Sequence, residues 1–340
     1  MISKTIQYDP KPEKTRLFCP SNQNMSELFF SLVDYRNNYF TSDDPNKIIE
    51  FYNGFENRDQ LIQWMKDRPK GVANIHEVDG DKDNIVVIPT ADFNGGYARE
   101  CKENVFRGFH IVFVESGGRG DFYFNIAHNF NVGIRKAIEY NPKWIVVSGD
   151  DVIKVDPLDK LINSLSKMDN SKVDSVFTFP ASYHSAPMIL CRPNILFKTA
   201  IKILRFFSSR VFYAEKAFSQ MRRFNNHILF PRYQDSPSIL YKLMNFIFFN
   251  KYKNFVNILS FGIFSSDFVR RCGELYDETY INEMEDTDLS VRLFNTGRIA
   301  TIDFTIKERV GATMGHGILR TLRTVPGWSY FSYKMERGEL

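Results

Sequence analysis

The sequence predicts an α/β fold with a central, mostly parallel twisted sheet, and three observations predict it. Short β-branched apolar runs at residues 84–90, 110–115 and 143–148 each end in polar or acidic residues. A helical repeat (Ile126, Phe130, Ile134, Ile138) separates the second run from the third. Strand, helix and strand in that order give parallel pairing, with ligands bound beyond the carboxyl ends of the strands.

The elements follow in chain order. Residues 1–83 read as an accessory region with one helix over 46–65, whose apolar positions include Ile48, Tyr52, Phe55, Leu61 and Trp64. Pro69, Gly71 and Gly80 close it. The first buried strand ends at Pro89-Thr90, and the second ends at Glu115 before the glycine-rich loop 116–121. A helix over 124–140 leads to a third strand that ends at Asp150-Asp151. A helix after Pro157, a strand at 175–180 and core-like sequence at 260–264 come next. Residues 283–288 open an amphipathic helix that Gly297 ends, and a last strand covers 299–304. Residues 306–340 are expected to close the site.

Composition sets limits. The chain has 340 residues, 43% hydrophobic and 25% charged, enough for a sizeable core. Its four cysteines, Cys19, Cys101, Cys191 and Cys272, form no CxxC pair, which argues against a zinc knuckle or a disulfide framework and fits a reducing compartment. The opening residues lack the apolar core of a signal peptide, and no apolar run reaches membrane-spanning length. The expected location is the cytoplasm, peripheral at most to the inner face of a membrane.

Charge is uneven. Twelve basic residues against Glu215 and Asp235 fall between Arg192 and Lys253, a local +10 that leaves −6 for the rest of a chain whose net charge is +4. Within this basic, aromatic insertion (189–256), Leu196, Ala200, Ile203, Leu204 and Phe207 recur at helical spacing, with Lys198, Lys202 and Arg205 on another face. It reads as a helical subdomain or as an interfacial element for anionic lipid and a lipid-linked acceptor. No nucleic-acid-binding module accompanies the charge.

Carboxylates carry the chemistry. Asp150 and Asp151, adjacent at a sheet edge, repel each other unless a cation neutralises them; Mg²⁺ or Mn²⁺ with a diphosphate would do so. A solvated turn is the plain alternative. Glu285 and Asp286 open a helix, where acids favour the dipole. An acid there also suits a general base facing an acceptor hydroxyl. Thr90 and Glu115 each end a strand, placed to line a nucleotide pocket. His316, between Gly315 and Gly317, is a metal-ligand candidate against an ordinary loop histidine. Arg119, Arg320 and Arg323 read first as solvated surface residues and second as contacts to a diphosphate.

The combination is more specific than its parts. Asn131-Val132-Gly133, Ala137, Trp144 and Asp150-Asp151 form one block; Asp277-Glu278, then Glu285-Asp286-Thr287-Asp288-Leu289-Ser290, Arg292 and Gly297 form another. Together they resemble the family-two glycosyltransferases over roughly residues 84–305, apart from the basic region. The resemblance implies a GT-A type fold with a Rossmann-like nucleotide-binding half and metal-dependent sugar transfer from a nucleotide-sugar donor to a hydroxyl of a glycan or lipid-linked acceptor. It implies Thr90, Glu115 and Asn131 at the donor, Asp150 and Asp151 at metal and diphosphate, Asp286 as base and Glu285 beside it at the acceptor. Two departures stand out: Glu115 replaces the family's Asp, and Ser148 breaks the usual D-x-D. A sugar-phosphate nucleotidylyltransferase is the neighbouring alternative, but it needs a basic glycine-rich loop after the first strand, where this chain has 89–94 (PTADFN). A catalytically degenerate binding module is the other.

Overall fold

The computed structural model describes residues 39–179, 187–193, 195–204, 219–220, 223–224, 228–231, 249–256, 261–296, 298–308, 314–315 and 317–340. Two helices lead, α1 (Pro45–Asn53) and α2 (Arg58–Asp67), followed by β1 (Asn74–Val78), β2 (Asp81–Thr90), α3 (Gly96–Glu100), β3 (Phe109–Glu115), α4 (Ile126–Ile138) and β4 (Trp144–Ser148). Next come β5 (Val152–Val155), α5 (Leu158–Ser166), β6 (Ser175–Phe179), β7 (Pro187–Pro193), α6 (Ile195–Leu204), β8 (Ile228–Pro231), β9 (Phe249–Val256), β10 (Phe261–Ser265) and α7 (Ser266–Cys272). The chain then forms α8 (Glu285–Thr296), β11 (Ile299–Asp303), β12 (Ile306–Glu308), α9 (Gly317–Arg323) and α10 (Val325–Arg337).

The central sheet has seven strands in the order β1-β3-β2-β4-β10-β6-β11. Five run one way; β1 and β10 run against them. The architecture is therefore α/β on a mixed sheet in which most strands share one direction. The apolar runs read from sequence become strands because alternate side chains serve two cores. Ile85, Val87, Val112, Val114, Ile145 and Val147 point to one face and meet α4, α7 and α8. Val86, Ile88, Ile111, Phe113 and Val146 point to the other and meet the helix at 96–105 and α5. Burial on both faces explains the near-continuous apolar sequence of these strands.

Helix α4 is capped by Asn125, whose Oδ1 accepts from the His128 N–H at 2.8 Å. It lies close on the sheet: a Cβ on Gly133 would fall 2.4 Å from Val87 Cγ1 and 2.9 Å from Val114 Cγ2. Helix α8 buries Leu289 and Leu293, four apart on one face.

Four features differ from the sequence reading. The single helix expected over 46–65 is two, because Gly54 ends α1 and the Asn57 side chain caps α2 by accepting from Gln60 N–H at 3.0 Å. The region before residue 84 contributes the edge strand β1, whose His76 and Glu77 disguised it as polar sequence. In the basic region, read as helical, the described residues also form the antiparallel sheet β8-β7-β9. A third core joins α1 and α2 to α9 and α10, with Tyr39, Phe51, Tyr52, Trp64, Trp328 and Phe331 buried together.

No helix among the described residues is long and apolar enough to cross a membrane.

Candidate active site at the carboxyl edge

Strand direction gathers the candidate residues. β2 ends at Thr90 and β3 at Glu115, in register across the parallel pair, and Asp150 and Asp151 follow the end of β4. Helix α8 runs into β11, which is parallel to β6, so its first turn, Glu285 and Asp286, lies toward the same edge. A hydrogen bond ties the two parts together. Ile126 N–H, at the start of α4 just beyond β3, donates to Ile281 O at 2.8 Å.

Thr90 is buried, and its hydroxyl donates to Asp150 Oδ2 at 2.7 Å. Burial pushes the Asp150 carboxyl up; hydrogen bonds from Thr90 and from backbone N–H groups, including that of Ala91, pull it back. The Asp151 carboxyl is pushed up to about 6, by burial first and by the Asp150 charge second. Neither carboxylate forms an ion pair among the described residues. Two hard oxygen donors side by side, short of positive charge, suit a divalent ion that keeps phosphate oxygens and water in its shell. They do not make an all-protein cage: among the described residues no group of three or more His, Cys, Asp or Glu is gathered for a metal. His316 lies outside the described residues.

Glu115 is already engaged. Its Oε1 accepts from Phe93 N–H at 2.9 Å and its Oε2 lies 2.9 Å from His76 Nε2. The His76 ring stacks on Phe93, centroids 4.3 Å apart at 6°, and Lys102 Nζ lies 3.9 Å from the Phe93 ring centroid. These contacts fix the loop after β2. Sequence reading missed His76 and Phe93, since their pairing depends on an edge strand that was not foreseen.

Asn131 is already engaged as well. It is buried, its Oδ1 accepts from Tyr276 N–H at 3.0 Å, and its Nδ2 donates to Tyr276 O at 2.8 Å and Glu278 Oε1 at 3.1 Å. Its side chain clamps the segment that leads to Glu285. Glu278 also lies 2.8 Å from His128 Nδ1. Asp288 is a structural acid: it accepts from Lys334 Nζ at 2.5 Å, Arg292 Nε at 2.8 Å and Tyr280 hydroxyl at 3.1 Å.

The second acidic pair sits on an unusual backbone. Glu283 and Met284 adopt left-handed φ of 88° and 80° immediately before α8. Two successive non-glycine residues there store roughly 1–3 kcal/mol each. The turn is held from outside: Arg320 Nη2 donates to Glu283 Oε1 at 3.0 Å, and Gly327 of α10 packs against the Glu283 carbonyl. Glu285 is buried, and its Oε2 has no hydrogen-bond partner among the described residues. Asp286 Oδ1 accepts from the Thr287 N–H at 2.6 Å and from its hydroxyl at 3.1 Å. Both carboxyls are pushed up, by burial first; for Asp286 the charges of Glu285 and Glu283 add to it. Burial and neighbouring like charge make each of these carboxyls hold a proton more tightly than an ordinary acid.

Arg323 departs from a solvated role, being fully buried, whereas Arg119, in the turn after β3, stays partly exposed and pairs with Asp43 at 3.1 Å. No family model, curated protein or solved structure matches this chain.

Proposed function

We propose that the chain is a glycosyltransferase of the GT-A type, moving a sugar from a nucleotide-sugar donor to a hydroxyl acceptor with inversion at the anomeric carbon. The observation that carries the reading is the pair of separated acidic motifs at one sheet edge, one locked to Thr90 and one opening α8. Asp150 and Asp151 would hold Mn²⁺ or Mg²⁺, which supplies charge neutralisation for the departing diphosphate. Thr90 orients Asp150 by donating to its Oδ2, and backbone N–H groups help to hold the carboxylate at the donor side. The Glu115–Phe93 bond holds the loop after β2 as one wall of the donor pocket. Asp286, raised by burial and by its acidic neighbours, takes the acceptor hydroxyl proton as that oxygen bonds to the anomeric carbon and the sugar–diphosphate bond breaks. Glu285 lies beside it as an acceptor contact.

A thermal-shift screen of UDP-, GDP- and dTDP-sugars, with and without Mn²⁺, tests the donor assignment, because a ligand bound only to the folded chain raises its melting temperature. Asp286→Asn is expected to lower transfer by about 10²–10⁴-fold while donor binding persists. Full transfer activity in that variant would remove the base from the mechanism.

Helix α6 exposes Ile195 at 72%, Leu196 at 55% and Ile203 at 56%, near the exposed Lys202. That surface, within the basic region, supports contact with anionic lipid and a lipid-linked acceptor. Flotation with vesicles containing phosphatidylserine tests it; no recovery at low salt ends the membrane reading.

A further inference from the structure

Two arginines from distant parts of the chain converge on one exposed carboxylate. Arg119 meets Asp43 through both terminal nitrogens, Nη1 to Oδ1 at 3.1 Å and Nη2 to Oδ2 at 3.2 Å. Arg323 donates from Nη2 to Asp43 Oδ1 at 2.9 Å. The Arg323 side chain is fully buried, whereas that of Asp43 is 65% exposed. The other partners of Arg323 are neutral: Nη1 donates to Met314 O at 2.8 Å and Nη2 to Ser42 O at 2.5 Å. Its Nε has no hydrogen-bond partner among the described residues.

This arrangement is unbalanced. A buried guanidinium requires an anion, and two guanidinium groups here share one carboxylate that is mostly in water. Their planar forks also match phosphate oxygens better than a single carboxylate exploits. Placement agrees with that chemistry. Arg119 follows Gly118, whose added Cβ would lie 2.9 Å from Ala91 Cβ, and Ala91 adjoins the Thr90 that holds Asp150. Gly315, at φ 74°, lies over both arginines: a Cβ there would come 2.9 Å from Arg323 Nη1 and 3.9 Å from Arg119 Nη1. A side chain at 315 would press on the Arg323 guanidinium, so this glycine lets the backbone pass close to the pair.

We infer that Arg119 and Arg323 form a clamp for a phosphate-type anion, and that Asp43 is its internal competitor, seated there until a diphosphate displaces it. On the glycosyltransferase reading, on which the ligand's identity rests, that anion is the donor's diphosphate. Asp43 then links donor binding to the segment before α1: an arriving diphosphate releases residues 42–44, and their return helps expel the product. Two guanidinium groups suit the incoming anion, and one exposed carboxylate is weak enough to leave.

Calorimetric titration with inorganic pyrophosphate, and with UDP, GDP and dTDP in the presence of Mn²⁺, tests the clamp on the full chain. Asp43→Asn is expected to tighten pyrophosphate binding about three- to ten-fold, since it frees a site otherwise occupied by an exposed ion pair. Arg119→Ala is expected to weaken it about ten-fold or more and to melt close to the wild type, whereas Asp43→Asn, which leaves Arg323 without its anion, should melt lower alone and recover in pyrophosphate. The clamp is overturned if Asp43→Asn binds pyrophosphate no more tightly than wild type, if it loses melting temperature together with anion affinity, or if neither protein binds pyrophosphate. The two readings fail separately. Tightened pyrophosphate binding with no preference for any nucleoside diphosphate keeps the clamp and counts against the transferase. Nucleotide-sugar turnover unaltered by Asp43→Asn, with unaltered diphosphate affinity, keeps the transferase and removes the clamp.

Discussion

Gly327→Ala sets two opposing effects of known size against each other. Gly327 lies in the first turn of α10, and a Cβ there would fall 2.4 Å from the Glu283 carbonyl oxygen, 3.3 Å from its carbon and 3.4 Å from Met284 Cγ. An ordinary carbon–oxygen approach is about 3.3 Å, so the contact has to open by roughly 1 Å. Alanine gains up to about 1 kcal/mol from helix propensity, while forcing an extra methyl into a packed site costs about 1–3 kcal/mol. Backbone rather than a rotatable side chain is in the way, and Glu283 and Met284 already hold left-handed φ, so the cost is placed at the upper end. The expected result is a net loss of about 1–2 kcal/mol and a melting temperature lower by a few degrees in scanning calorimetry. Donor turnover should fall further than stability does, because the displaced turn carries Glu285 and Asp286. Gly96→Ala, in a helix where nothing lies within 4 Å of the added Cβ, should be neutral or stabilising. A Gly327→Ala protein as stable and as active as the wild type would refute the claim that α10 fixes the second acidic pair.

Three further outcomes follow from the site. The Asp151 carboxyl is raised to about 6, so its contribution favours the fold below about pH 4 and is lost as pH rises through 6. Asp151→Asn should therefore stabilise the metal-free protein at pH 7.5 by at most ~3 kcal/mol, give no gain at pH 4, and lose its advantage when Mn²⁺ saturates the wild type; melting curves at the two pH values read this out. Thr90→Val keeps the shape and removes the donor to Asp150, and should cost about 1 kcal/mol in urea unfolding and weaken Mn²⁺-dependent donor binding. Lys334→Met leaves Asp288 with Arg292 as its remaining cation and Asp277 with only neutral donors, and should cost about 1–3 kcal/mol, seen as a fall in the urea midpoint.

Most of the sheet was legible because its signal is local. Runs such as Ile85-Val86-Val87-Ile88 are buried on both faces, so each residue carries the evidence for its own environment. Strand β1 was not legible: at an edge, Asn74-Ile75-His76-Glu77-Val78 spends two of five positions on polar partners, His76 on Glu115 and Glu77 on His110. The carboxylates could be placed at the strand ends because topology follows from strand order. What each touches could not. Asn131 stands in a recognisable pattern, but its amide is consumed by the Tyr276 backbone, 145 residues away in sequence. The positive φ of Glu283 and Met284 left no trace either, since no glycine announces it. Nor does Asp43 read as anything but a residue near a helix start until Arg119 and Arg323 are brought to it.

The bonds between the helices at either end of the described fold have a consequence in time. Tyr39 hydroxyl donates to the Arg323 carbonyl and Tyr52 hydroxyl to that of Leu322, across 284 and 270 residues. During synthesis both tyrosines wait for those carbonyls for on the order of tens of seconds. Until then a nascent chain can complete its sheet with Asp43 and Arg119 present but the second guanidinium on Asp43, that of Arg323, not yet made. An incomplete polypeptide stopped before residue 317 would then bury most of its strands and still be unable to assemble the edge where the chemistry is placed.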